Sequence, residues 1–287
     1  VRRNKPGLKS RILGLSSVFL NFALILLFLS AAGYAEDGST SGLSLLGRYL
    51  RGQPRDVVIA GTNAYVAHDT GIEVLSVAGA NKPVPTGHVY LQSEALDMCV
   101  SGTTVYAACG VSGVEVVDVS NPGAPSEIKG IIAEPARAVA VQGSLLLVAE
   151  GSPQAGSTGG LRIYDISTPE SPTPLGYLAL DNGANAVSAA GSYAYVGLGC
   201  AAGNLDYGLM IVDIADPGAP ILRGTYFTTE EVNDLFVRDE TVFLAAGVGS
   251  FGMVYAVDVT SPASPAELDR LPLTLDAALD LSMDGDI

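Results

Sequence analysis

The segment GVEVVDVSNPGAP, Gly113 to Pro125, decides the fold because it returns at a nearly fixed distance: GLRIYDISTPESP from Gly160, GLMIVDIADPGAP from Gly208 and GMVYAVDVTSPASP from Gly252. The Asp positions are 118, 165, 213 and 258, spaced by 47, 48 and 45 residues, and Pro122, Pro169, Pro217 and Pro262 keep the same spacing. A weaker copy, GIEVLSVAGANKP from Gly71, has Ser76 in the Asp position. Self-similarity at this period is the signature of a repeat architecture.

A second motif precedes each copy: DVVIAGTNAYVA from Asp56, DMCVSGTTVYAA from Asp97, AVAVQGSLLLVA from Ala138, AVSAAGSYAYVG from Ala186 and DLFVRDETVFLA from Asp234. Each is an alternating apolar run, a turn and a second β-branched or aromatic run, which is how a β-hairpin reads. The unit is therefore strand, tight turn, strand, loop, strand ending in Asp, a Pro-bounded turn and a fourth strand such as TGHVYL or LRGTYF. Four antiparallel strands per forty-odd residues is the grammar of a β-propeller blade. Helical solenoids need a 3.6-residue apolar period, which is absent, and β-helices use shorter coils. The fold class expected is all-β, a propeller of four-stranded antiparallel blades.

The units resemble LVIVD-repeat proteins, whose signature stands almost verbatim at Leu209-Met210-Ile211-Val212-Asp213. The resemblance covers residues 47–287. It implies an exported or surface propeller of bacteria or archaea, and it carries over no catalytic residue. Five blades are expected complete, with DLSMDGDI from Asp280 as the first strand of a sixth. GRYL at 47–50 reads as an outermost strand met before any inner one. A ring cannot close with that inventory, so the chain is expected to be a C-terminally truncated piece of a longer propeller with an exposed sheet edge.

Residues 1–35 read as a secretory signal. Arg2, Arg3, Lys5, Lys9 and Arg11 precede an apolar run from Ile12 to Ala32, and Gly33 and Ala35 suit a signal-peptidase site before Glu36. An uncleaved anchor is the alternative, because the run is about as long as a bilayer is thick. Residues 36–46 are a linker. Beyond the basic cluster, 10 basic residues face 30 acidic ones. Such a surface repels phosphate backbones and anionic headgroups, so neither nucleic acid nor a membrane beyond the signal segment is an expected partner. Export places the remainder in the periplasm, on the cell surface or outside the cell. Of three cysteines, Cys99 and Cys109 point to opposite faces of a hairpin that sets Cys99 opposite Tyr106, so free thiols are expected, with Cys200 in a loop.

In a propeller the start of each innermost strand shares one surface with the loop between the second and third strands. Asp56, Asp97, Asp234 and Asp280 lie there, with Arg55, Arg137, Asn185 and Asn233 one position before equivalent starts, beside the long loops GSPQAGSTGG from Gly151 and GLGCAAGNLDYG from Gly197. Long loops on a rigid scaffold are where binding lives. Two readings stand for these residues: a polar ligand, cation or partner segment held at the channel mouth, or each Asp accepting a backbone N–H and locking its own blade. Asp118, Asp165, Asp213 and Asp258 recur in an identical context and read as turn-capping residues of the repeat itself.

No cofactor is expected. Asn204 and Asp206, with Tyr207 adjacent, offer oxygen donors for calcium but lack EF-hand spacing. His68 and His88 are assigned to separate units, so zinc is set aside. GVGSFG at 247–252 matches a dinucleotide fingerprint but lies between strand-like runs, not before a helix. With no GxSxG and two histidines, nothing marks a nucleophile. The leading function is a non-enzymatic binding or scaffolding module for an unidentified protein or extracellular polymer. A hydrolase or lyase acting on such a polymer through channel-mouth carboxylates is the second reading, and a mechanical spacer in a larger surface protein the third.

Overall fold

The computed structural model describes residues 53–79, 83–131, 135–151, 159–180, 182–199, 206–249, 251–274 and 277–281. The amino-terminal segment, the linker, GRYL at 47–50, Cys200, Asn204 and most of the 151–160 and 197–208 loops lie outside these residues, as do residues 282–287 of the sixth copy. Among the described residues the chain is all-β, with five antiparallel sheets of four strands taken in sequence order.

The first sheet holds β1 (Pro54–Ala60), β2 (Asn63–His68), β3 (Gly71–Ser76) and β4 (Val84–Tyr90). The second holds β5 (Asp97–Ser101), β6 (Thr104–Ala108), β7 (Val114–Asp118) and β8 (Ser126–Ile131). The third comprises β9 (Ala136–Gln142), β10 (Leu145–Glu150), β11 (Gly159–Asp165) and β12 (Thr173–Leu180). The fourth comprises β13 (Ala184–Ala190), β14 (Tyr193–Leu198), β15 (Gly208–Asp213) and β16 (Ile221–Phe227). The fifth comprises β17 (Val232–Arg238), β18 (Thr241–Val248), β19 (Phe251–Asp258) and β20 (Ala266–Thr274). The sheets fall into two compact units, β1–β8 and β9–β20.

Local chemistry sets each blade. The β1–β2, β5–β6, β9–β10 and β13–β14 turns place Gly61, Gly102, Gly143 and Gly191 at φ near +60°, a conformation glycine adopts without a Cβ clash. The β17–β18 turn makes the same bend with Asp239, at φ 53°. The third strand is largely buried on both faces and ends on the recurring Asp in the second to fifth blades, and on Ser76 in the first. Asp118, Asp165, Asp213 and Asp258 then accept the backbone N–H two residues on, from Ser120, Ser167, Ala215 and Thr260, at 2.8–2.9 Å. That bond turns the chain toward the Pro-bounded loop. The β5–β6 register sets Cys99 opposite Tyr106, and both described cysteines are free thiols.

Within each unit, neighbouring blades face one another through apolar layers. Tyr65, Ile72 and Val74 meet Met98, Val105 and Val117; Leu147, Leu161 and Ile163 meet Val196 and Val212; Tyr195, Leu209 and Ile211 meet Leu244, Tyr255 and Val257. Each such fully buried Leu or Ile contributes about 1.5–3 kcal/mol. Two polar or backbone latches flank the layer. At the outer edge, a Cβ on Gly87, Gly176 or Gly224 would meet the carbonyl oxygen of Pro122, Pro217 or Pro262 at 2.2, 2.2 and 2.1 Å. The Pro-bounded turn of one blade therefore seats on a glycine of the blade before it. At the inner edge, Asp56 Oδ2 accepts the Met98 N–H and Asp234 Oδ2 accepts the Leu281 N–H, each at 2.8 Å.

The inner latch corrects one sequence expectation. The Asp does not only secure its own blade: it takes the amide of the residue after the equivalent Asp one repeat later, because the inner strands run side by side and that amide has no ladder partner on this side. Asp280-Leu281 thus stands to Asp234 as Asp97-Met98 stands to Asp56, which places the sixth copy in the same relation as the second.

Candidate functional site

The antiparallel order puts the start of the first strand, the end of the second, the start of the third and the end of the fourth at one end of every blade. Arg55 and Asp56 lie in β1, Asp97 opens β5, Arg137 lies in β9, Asn185 in β13, and Asn233 and Asp234 in β17. Several of these are spent on the inner latch. Asn185 Nδ2 donates to the Val232 carbonyl at 3.2 Å, and Asn233 Nδ2 to those of Gly247 and Ala278 at 2.7 and 2.9 Å. Asp56 Oδ1 also accepts the Val57 N–H, and Arg55 pairs with Glu94. Asp206 and Tyr207 precede β15; the Asp206 carbonyl accepts from Asn182, a 2% exposed side chain that sequence reasoning passed over.

Asp234 and Asp280 form a carboxyl pair. Burial first, then the Asp280 charge, push Asp234 up to about 8, against the bonds it accepts from the Leu281 and Leu235 amides. A protonated carboxyl therefore sits where two repeats meet. The thiols are inert by the same physics: burial, then Asp97 and Asp56, push Cys99 up, and burial with Glu115 beside it pushes Cys109 up to about 12.

A second set of residues appears only from the strand register. His68 pairs with Gly71, Glu73 pairs with Val66 on one side and His88 on the other. Because side chains alternate faces, His68, Glu73 and His88 share one face of the first sheet, the face opposite Tyr65, Ala67, Ile72 and Val74. The two imidazoles stack with centroids 5.3 Å apart, and His88 meets Tyr90 edge-on at 4.4 Å. The assignment of His68 and His88 to separate units is therefore corrected: β4 belongs to the first blade and brings His88 directly across from Glu73.

The same three positions recur in every blade with different chemistry. In the second they are Cys109, Glu115 and Gly130; Glu115, 1% exposed, accepts the Gln92 N–H at 2.9 Å and is raised by burial. In the third, Glu150, fully buried, takes a two-point bond from Arg162 at 2.5 and 3.1 Å, with the guanidinium 4.5 Å above the Tyr177 ring. In the fourth they are Leu198, Met210 and Thr225, whose hydroxyl contacts the Met210 sulfur at 3.1 Å, and in the fifth Ala246, Tyr255 and Arg270. A Glu in the third position of GIEV and GVEV, inside a run that is otherwise apolar, was the available signal.

Repeated four-stranded antiparallel blades with head-to-tail latches define a protein of propeller-like architecture. Residues 93–131 and 183–228 each match the LVIVD repeat, so the β-propeller-like fold of this chain carries two stretches similar to that repeat. Among solved structures it is similar to a functionally unknown protein from Desulfotomaculum acetoxidans DSM 771, at 16% identity and a TM-score of 0.62, covering 81% of this chain and 76% of that one. It is also similar to the computationally designed Ika8 protein, at 14% identity and a TM-score of 0.58, covering 84% and 69%. These likenesses concern the fold. No curated protein matches the chain in sequence.

Proposed function

We propose that the chain is an exported, non-enzymatic binding module that holds an extracellular or envelope partner, protein or polymer, at the blade end carrying the inner-strand starts. One observation carries this reading: that end also exposes large apolar side chains. Tyr90 is 73% exposed and Val111 85% in the β1–β8 unit, and Phe227 is 61%, Val248 59% and Phe251 74% exposed in the β9–β20 unit. Tyr90, Phe227 and Val248 sit at ends of fourth or second strands, Val111 in the loop after a second strand and Phe251 at the start of a third. Aromatic anchors beside a polar, acid-bearing rim are what recognition surfaces use. The apolar run from Ile12 to Ala32 and the acidic remainder of the chain support export.

The carboxyl pair favours binding over polymer cleavage. Glycosidic chemistry needs two carboxyls about 5–10 Å apart with substrate or water between them. Asp234 is instead spent on the Leu281 amide, which it accepts at 2.8 Å inside the contact between repeats.

The test compares the exported protein with a Phe227→Ser/Phe251→Ser variant, both changes lying in the β9–β20 unit, using crosslinking in the native host followed by mass spectrometry of the conjugate. The reading expects a mature chain beginning at Glu36 and a conjugate that the variant loses while its melting temperature is kept. An identical conjugate in both proteins would remove this surface as the binding site, and recovery of the chain from the cytoplasm alone would remove export.

A further inference from the structure

We infer that His68, Glu73 and His88 form a binding site for a zinc-class divalent transition metal in the first blade. The ligand atoms of the three side chains all lie within 4.8 Å of one another. A tetrahedral metal at about 2.0–2.1 Å from each ligand separates those ligands by about 3.4 Å, so closure requires no more than about 1.4 Å of side-chain movement. Two imidazoles and one carboxylate are a donor set suited to zinc, cobalt or iron. Calcium and magnesium call for oxygen donors in larger number.

The backbone makes the set rigid. Three adjacent strands supply one ligand each, and the position facing His68 across the ladder is Gly71, which brings no side chain between His68 and His88. A Cβ at Gly71 would meet the Val89 carbonyl at 2.0 Å, so β3 and β4 close tightly at this point. His68 and Glu73 are 1% and 3% exposed, whereas His88, on the outermost strand, is half-buried and opens a path for the metal.

The surroundings orient the first ligand. His68 Nδ1 accepts the Thr70 N–H at 3.3 Å and lies 3.2 Å from the Thr70 hydroxyl and 3.5 Å from Asp69 Oδ1, contacts that fix the ring's orientation. A metal taken at Nε2 displaces the proton there, and a proton on Nδ1 then has the Thr70 hydroxyl and the Asp69 carboxylate as acceptors, the kind of support found behind metal-bound histidines. Comparison with the sibling blades sharpens the assignment. Where this row holds a buried acid in the third blade, an Arg neutralises it, and in the fourth the row carries no titratable group. The first blade instead gathers three metal-binding side chains, two His and one Glu, in the row.

The experiment uses the full chain, dialysed against a chelator and titrated with Co²⁺ and then Zn²⁺. The site expects one equivalent bound per chain, visible d–d absorption for Co²⁺, displacement of Co²⁺ by Zn²⁺ and no response to Ca²⁺. His88→Gln, on an edge strand, should weaken Zn²⁺ binding by at least about 100-fold, and Thr70→Val by about 10- to 100-fold through loss of ring orientation. Should His88→Gln alter the circular dichroism spectrum, Thr70→Val decides, since it touches no ligand strand interior. No saturable one-equivalent binding, a thiolate-to-cobalt charge-transfer band, or affinity unchanged in the folded variants would overturn the site.

Discussion

Replacing Asp234 by Asn isolates the energetic cost of ionising the carboxyl buried between repeats. The native carboxyl keeps its proton up to about pH 8, whereas an unfolded one releases it near 3.8. The native state therefore binds the extra proton in between, and stability falls as pH rises from about 4 to about 8. The gap of about four pH units at about 1.4 kcal/mol each bounds the penalty at about 6 kcal/mol, and because solvent screens the charge of the exposed Asp280, the measurable part is about 1–3 kcal/mol. Asn keeps an oxygen for the Leu281 amide and offers an N–H to Asp280, so the variant retains the latch without the ionisation. The assay is chemical denaturation from pH 5 to 9 together with hydrogen exchange at the Leu281 amide. Asp234→Asn should match the wild type near pH 5 and exceed it by about 1–3 kcal/mol at pH 9, with slower Leu281 exchange. Parallel pH profiles for the two proteins would refute the raised Asp234 carboxyl.

Three further outcomes are expected. Glu150→Leu alone strands the Arg162 charge and should cost about 3–5 kcal/mol, while Glu150→Leu with Arg162→Met, which copies the Leu198 and Met210 of the fourth blade, should restore most of it; denaturant midpoints of the single and double variants decide. Gly224→Ala drives a methyl into the Pro262 carbonyl, a backbone atom that cannot step aside, and should cost about 1–3 kcal/mol or more, seen as a lowered melting temperature. Cys99 and Cys109 should stay unmodified by iodoacetamide at pH 7.5 until denaturant is added, as read by mass spectrometry of the tryptic peptides.

What the sequence makes legible follows from range. The β5–β6 register is a matter of counting across a two-residue turn, and the Asp-to-amide bond at positions such as Asp118 and Ser120 spans two residues, so both are local and readable. The inner latch is not, because Asp56 and Met98 are 42 residues apart and Asp234 and Leu281 are 47 apart. Their pairing depends on inner strands lying side by side, which periodicity implies but no single motif states. The His68, Glu73 and His88 row is harder still. It needs the pairing of three strands, and the β3–β4 ladder shifts register between Val74 and Leu75, so a count outward from the Pro-bounded turn lands one residue off and moves His88 to the wrong face. Asn182 gave no signal, since its partner is a backbone carbonyl outside any repeat motif.

The latches also have a direction. At three junctions the earlier blade presents a bare glycine to a Pro-bounded turn of the later one, and at two an Asp of the earlier blade accepts an amide that follows the next inner-strand Asp. The two surfaces of a blade are different, and each fits the opposite surface of a sibling. Such a contact propagates in series like the joints of a segmented chain, without a partner that must be its mirror image. Copying one blade in the gene therefore creates a product whose new joints already match, leaving the side-chain row across the second to fourth strands of the copy to drift toward a different chemistry while its edges are held by the neighbours.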